Sequence, residues 1–145
     1  MDRGILIGTF PDTIKHTLHY LMERGCFLDC RGLIDISDTT IFGYDVKMLT
    51  MSHDISDASC GKGVKRRLRI DGNSWIASFS LLAACWVQEH AVVCAGSVVT
   101  GVIVPAYSMV QGNPAQIVAT YDRAANKWVR LPEPRACESW SGRKV

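Results

Sequence analysis

A period of six runs through the middle of this chain and limits its fold more than any other feature. With a bulky apolar residue placed first, the sequence divides into ISDTTI from Ile36, FGYDVK from Phe42, MLTMSH from Met48, IDGNSW from Ile70, IASFSL from Ile76, VQEHAV from Val87 and VCAGSV from Val93, and Val99 opens the next unit. The fifth place holds Thr40, Val46, Ser52, Ser74, Ser80, Ala91 and Ser97, all small or β-branched. Such a repeat matches neither the 3.6-residue turn of a helix nor the two-residue alternation of a long flat strand. It suits a short strand and a tight turn, three times per coil, stacked into a solenoid. The first residue of each unit then points into a narrow core, and the fifth sits at a corner with little room.

Two places break the register. Ile76 and Val87 are a residue too close for two units, so a turn near Leu81 and Leu82 must be short. Residues 55–69, ISDASCGKGVKRRLR, keep no register and read as a loop thrown out of the coil. Before the repeats, Ile14, Leu18, Leu21 and Met22 recur at helical spacing between Pro11 and Gly25. This predicts an amphipathic helix over 11–25 that caps the open end of the solenoid, where an apolar cross-section and unpaired backbone would otherwise be exposed. From Thr120 onward the repeat is gone. That tail, 120–145, reads as irregular, with Trp128, Val129 and Leu131 able to add a strand and Pro132 and Pro134 loosening the residues after them.

The 145 residues suit one domain over 1–145. Sixteen Lys and Arg against fourteen Asp and Glu leave too small an excess for a nucleic-acid protein to be read from net charge. The basic group Lys62, Lys65, Arg66, Arg67 and Arg69 has no interleaved aromatic residue, which argues against a nucleic-acid strand as client. Six cysteines lack paired zinc spacing and read as reduced thiols. The N-terminal MDRGILIGTFPD has no basic segment followed by a long apolar run, and no stretch approaches a membrane span. The expectation is a cytoplasmic protein.

The segment WIASFSLLAACWVQEHAVVCAGSVVTGVIVPAYSMVQGNPAQIV, preceded by MLTMSHDISD, resembles the hexapeptide-repeat acyltransferases, and among them the sugar O-acetyltransferases of the maltose, galactoside and colanic-acid groups. The likeness covers about 33–120 and rests most on SHD, WIA and GNPA in that order. It implies an all-β fold, a left-handed parallel β-helix over 33–119, assembled as a homotrimer with acetyl-CoA in a groove between subunits. By the same likeness His53 matches the catalytic histidine, Trp75 the tryptophan beside the acetyl group, and Ser78, Ala95 and Thr100 positions lining the coenzyme groove. The sequence departs from the family at Ala84-Cys85-Trp86, which replaces a Pro-Gly turn, at Val102-Ile103-Val104, which adds one residue before Pro105, and at two coenzyme positions. Gly101 stands where relatives usually have lysine, and Gln116 where they commonly have a basic residue, although both positions belong to the cofactor-binding set.

Acetyl transfer from an activated thioester to a hydroxyl needs chiefly that the alcohol lose its proton as it attacks. A neutral imidazole, with an unperturbed pKa of about 6.5, is suited to that task. One histidine suffices for a general base, whereas a zinc site on such a fold would need three, and only His53 and His90 fall inside the repeats. Asp54 is the nearest group able to orient His53, but neighbours on an extended strand face opposite ways, and a backbone carbonyl of the next coil serves equally well. His90 and Tyr107 read as surface and packing residues.

The reading is therefore an acetyl-CoA-dependent O-acetyltransferase without a metal, acting on a saccharide or nucleotide-sugar, as in polysaccharide biosynthesis. The alternative is a catalytically weak trimeric β-helix that serves as scaffold or binding subunit, favoured by Gly101 and Gln116.

Overall fold

The computed structural model describes residues 23–142 except residue 57. The helix expected over 11–25 falls almost wholly outside the described residues, and among those described there are only strands, turns and loops.

The chain winds through four coils, each laying one strand on each of three parallel sheets. The first coil holds β1 (Phe27–Asp29), β2 (Leu33–Ile36) and β3 (Ile41–Phe42). The second holds β4 (Lys47–Leu49), an excursion of β5 (Met51–His53) and β6 (Gly63–Lys65), then β7 (Arg67–Ile70) and β8 (Trp75–Ile76). The third has β9 (Leu81–Ala83), β10 (Trp86–Val87) and β11 (Val92–Val93), and the fourth β12 (Val98–Thr100), β13 (Val102–Val104) and β14 (Ser108–Gly112). Face A stacks β1, β4, β9 and β12; face B stacks β2, β7, β10 and β13; face C stacks β3, β8, β11 and β14. All these neighbours pair in parallel, the pattern of a three-sided β-helix. The coils begin earlier than residue 33, at Phe27. That first unit is hard to see in the sequence because its corner, Asp29 to Gly32, is held by polar groups instead of repeating the apolar pattern.

The first residue of each unit lands in the core. Leu28, Met48, Leu82 and Val99 form one column behind face A; Ile36, Ile70, Val87 and Val104 form a second behind face B; Phe42, Ile76, Val93 and Val110 form a third. All twelve are buried. At about 1.5–3 kcal/mol for each fully buried side chain, these columns supply a large share of the apolar drive that holds the coils together.

The fifth place explains itself at the corners. Ser74 Oγ donates to the carbonyls of Asp71 (2.9 Å) and Gln88 (3.0 Å), and Ser80 Oγ to those of Ala77 (2.7 Å) and Cys94 (3.2 Å). Each buried hydroxyl thus ties a turn to the coil below. Ser52 breaks the rule because its unit does. The chain leaves face A after Thr50, whose buried hydroxyl accepts from Gly32 N (2.8 Å) and donates to the Asp29 carbonyl. The excursion therefore runs over 51–66, not 55–69. Arg67 to Ile70 have already rejoined face B with Leu68 and Ile70 buried.

The register slip is a shortened A-to-B turn. Leu82 keeps the period, Val87 follows five residues later, and Ala84 between them takes a left-handed φ of 47°. The next coil repeats it from Val99 to Val104, with Gly101 at φ 63° hydrogen-bonded to Ala83 O (3.1 Å). Two short turns stacked on each other keep faces A and B in register.

The C-terminal segment is not irregular. β15 (Ala115–Asp122) and β16 (Lys127–Ala136) extend face C antiparallel from β14, and β17 (Glu138–Ser139) adds to face B beside β13. Pro132 and Pro134 lie where the β15–β16 pairing skips between Ile117 and Ala119, on an outermost strand where a missing N–H costs no ladder bond.

Candidate functional site

His53 ends β5 on the arm that leaves the corner between faces A and B. The arm is a hairpin in which Met51 faces Lys65, Ser52 faces Val64 and His53 faces Gly63. Its neck is closed by Arg66 N to Thr50 O (2.7 Å), and its far side by Asp54 N to Lys62 O (2.8 Å). The imidazole is exposed. Asp54 turns its carboxylate along the chain, where Oδ1 accepts from Ser56 N (2.9 Å) and Ser56 Oγ (2.6 Å), an Asx turn that shapes the arm just beyond the histidine.

Trp75 lies elsewhere. It projects from the outer surface of face C, paired with Ile41 and Val92. In a three-sided prism the A–B corner is the vertex opposite face C, so one chain holds His53 and Trp75 on opposite sides of its core.

The remaining expected residues divide between the same two regions. Ser78 and the exposed Ala95 follow each other down the corner between faces C and A. Ser78 Oγ accepts from Tyr44 N (3.0 Å), and Ser78 O accepts from Gly96 N (2.9 Å). Thr100 and Gly101 lie at the A–B corner, on the same side as His53. Gln116 is exposed on β15, paired with Gln111 and Ala136 beyond the last coil, apart from both groups.

The basic run is also split. Lys62 and Lys65 are exposed on the arm and Arg66 is half-buried at its neck. Arg67 and Arg69 instead belong to face B, paired with Asp35 (3.1 Å) and Asp71 (2.7 Å), and Arg69 lies 5.0 Å above the Trp86 ring. They brace the prism.

Around Trp75 the surface is unusually apolar. Ile41, Tyr44, Trp75 and Phe79 each expose more than half of their surface, on face C and the adjoining C–A corner. Sequence reasoning did not pick out Tyr44 and Phe79. Their signal, aromatic residues at turn places of the unit where small or polar ones are usual, was present in FGYDVK and IASFSL.

Two thiols are sealed in the core, those of Cys30 and Cys85. Burial pushes Cys85 up to about 12, and burial followed by the Asp29 charge pushes Cys30 up to about 11. Among the described residues no group of His, Cys, Asp and Glu is placed to hold a metal ion, and no helix is long and apolar enough to cross a membrane.

The chain matches no family model and no curated protein sequence. Solved structures do match. A hexapeptide-repeat-containing acetyltransferase of Vibrio cholerae, complexed with acetyl coenzyme A, superposes with a TM-score of 0.70 at 23% identity over 79% of this chain and 64% of its own. A maltose O-acetyltransferase of Clostridium difficile 630 gives 0.62 at 26% identity over 68% and 54%. A galactoside acetyltransferase in complex with coenzyme A gives 0.67 at 16% identity over 79% and 58%. The chain thus spans between about half and two thirds of each neighbour's length. Its structural neighbours are hexapeptide-repeat acetyltransferases, and the four-coil prism is a fold it shares with them.

Proposed function

We propose that this chain is an acetyl-CoA-dependent O-acetyltransferase that modifies a hydroxyl of a saccharide or nucleotide-sugar, working as a homotrimer of left-handed β-helices. The observation that carries the proposal is the placement of His53 and Trp75 on opposite sides of one prism. A complete site then needs the arm of one subunit to reach face C of its neighbour. The exposed Ile41, Tyr44, Trp75 and Phe79 support this, because a contiguous apolar patch of this kind marks a surface that another body covers.

The residues fit a coenzyme arm. Along the C–A corner Ser78, Ala95 and Gly96 are small, and a side chain added at Gly96 or at Gly101 would meet nothing within 4 Å, so a clear track runs beside each corner. Lys62 and Lys65 on the arm supply cationic charge for phosphates that Gly101 and Gln116 do not.

Acetyl-CoA supplies an acyl group already activated as a thioester. His53 takes the hydroxyl proton as the acceptor oxygen attacks the thioester carbonyl, a general-base role, and returns it to the sulfur as the C–S bond breaks and coenzyme A leaves as the free thiol. Trp75 walls the reacting centre from water and holds the donor close, a proximity effect. Asp54 sets the turn that aims the arm. Purified protein incubated with acetyl-CoA and a panel of mono- and oligosaccharides should release free thiol in an acceptor-dependent way. No release together with no coenzyme binding would favour the scaffold reading, for which the missing cations at Gly101 and Gln116 are the argument.

A further inference from the structure

The corner between faces B and C carries a feature the acetyl-transfer reading does not use. His90 and Tyr107 follow each other down this corner, at the place held by Asn73 in the coil above, and both keep a left-handed backbone, with φ 55° and 56°. Asn and His tolerate that conformation; a tyrosine ring gains nothing from it. Their rings stack at 4.6 Å and 17°. Tyr121 continues the row 6.3 Å from Tyr107, and Trp128, its cross-strand partner, stands edge-on to it at 5.3 Å and 67°. The Arg123 guanidinium lies 4.7 Å above Tyr107, and Asn126 accepts from the Tyr121 hydroxyl. These six residues line a cleft of about 460 Å³, within the range of small-ligand sites.

We infer that this cleft binds one ring of an acidic saccharide, as a distal subsite for the acceptor; this rests on the saccharide reading of the function. Tyr121 and Trp128 make two walls at a steep angle, which suits a thick pyranose chair whose C–H groups face the rings. A nucleobase sandwiched between two rings would need parallel faces with a gap between them. The Tyr107–Tyr121 spacing is less than two stacking distances, and Arg123 already covers Tyr107. No carboxylate lines the cleft, so the planar fork of Arg123 is the group that selects a sugar carboxylate. The cleft also lies on the right path. Val92 and Met109 carry the Trp75 column on to the third and fourth coils, about 10 Å along the axis, so a short saccharide reacting beside Trp75 reaches the cleft along the edge of face C.

The test is titration calorimetry without coenzyme, using an oligosaccharide of alternating hexose and hexuronic acid, the same compound with its carboxyls reduced to alcohols, and adenosine monophosphate. Wild type should bind the acidic form at least about tenfold more tightly than the reduced form, the worth of a charge-assisted hydrogen bond, and Arg123→Gln should erase that difference. Trp128→Ala should weaken both sugars, while Trp128→Phe should restore part of the affinity, which separates a ligand contact from a structural one. Because coenzyme is absent, binding here would survive even if acetyl transfer were disproved. Equal affinity for the two sugars, tighter binding of the nucleotide, or no sugar binding by a folded wild-type protein would each overturn the inference.

Discussion

At the scale of single residues, His53 and Asp29 show two opposite uses of a polar side chain. His53 stands exposed at the end of a strand, opposite a glycine that keeps the space beside it small-sided. In the general-base role we propose, it acts in the transition state and not in coenzyme binding. His53→Ala should therefore lower kcat about a hundred- to ten-thousandfold and leave coenzyme affinity, read by calorimetry, nearly unchanged. Asp29 is buried, and its carboxylate takes two hydrogen bonds from the Arg31 guanidinium (2.7 and 2.8 Å), which hold it below the usual carboxylate range. A depressed acid contributes stability that is complete above its unfolded value of about 4 and is lost as the pH falls through the folded one. Asp29→Asn should thus lower Tm at pH 7 and shrink the further drop between pH 5 and pH 3; an unchanged acid drop would show that other carboxylates carry it.

At the scale of elements, the turns are where substitutions tell most. Ala84 holds a left-handed turn that Gly101 makes one coil later without strain. Ala84→Gly should stabilise the protein by about 0.5–1 kcal/mol in urea unfolding, because relief of about 1–2 kcal/mol of left-handed strain exceeds the roughly 0.4–1 kcal/mol of added freedom in the unfolded chain. Gly43→Ala should do the reverse, because a Cβ there would come within 2.9 Å of the Ser78 Cα and 2.5 Å of its backbone nitrogen, neither of which can yield without moving the coil. The β5–β6 arm makes a kinetic prediction. Replacing Lys62, Lys65 and Arg66 together by Ala should raise KM for acetyl-CoA, and the effect should fade at high salt, since exposed charges are screened within about 10 Å at 0.1 M. An unchanged KM would reduce these side chains to solvated surface.

At the scale of the whole molecule, the prism buries its own core, while the site we propose draws on two prisms. If the arm of one subunit meets face C of the next, His53→Ala and Trp75→Ala variants should each be nearly inactive alone. Dissociated, mixed in equal amounts and reassembled, they should recover about a quarter of wild-type turnover, because a site is whole only where an intact histidine meets an intact tryptophan from a different chain. No recovery from a mixture shown by light scattering to be trimeric would mean that each chain builds its own site.

The six-residue period by itself determined the coils, the inward columns and the small corner residues, because each depends on spacing that neighbouring residues carry in the chain. Ile36, Phe42, Ile70, Ile76, Val87, Val93 and Val99 are all buried where that period puts them. It also exposed the short step before Val87, although not that Ala84 makes it or that Gly101 repeats it. Tertiary structure decided what depends on residues far apart in sequence. Whether Thr50 ends a coil turned on its bond to Gly32 N, eighteen residues away, and this moved the excursion and took Arg67 and Arg69 off the basic loop. The regular C-terminal strands turned on an edge of face C left free for β15 to pair with, which a local reading of two prolines does not reveal. The row from His90 to Trp128 joins residues of two coils and a hairpin, and only folding brings those rings into one cleft.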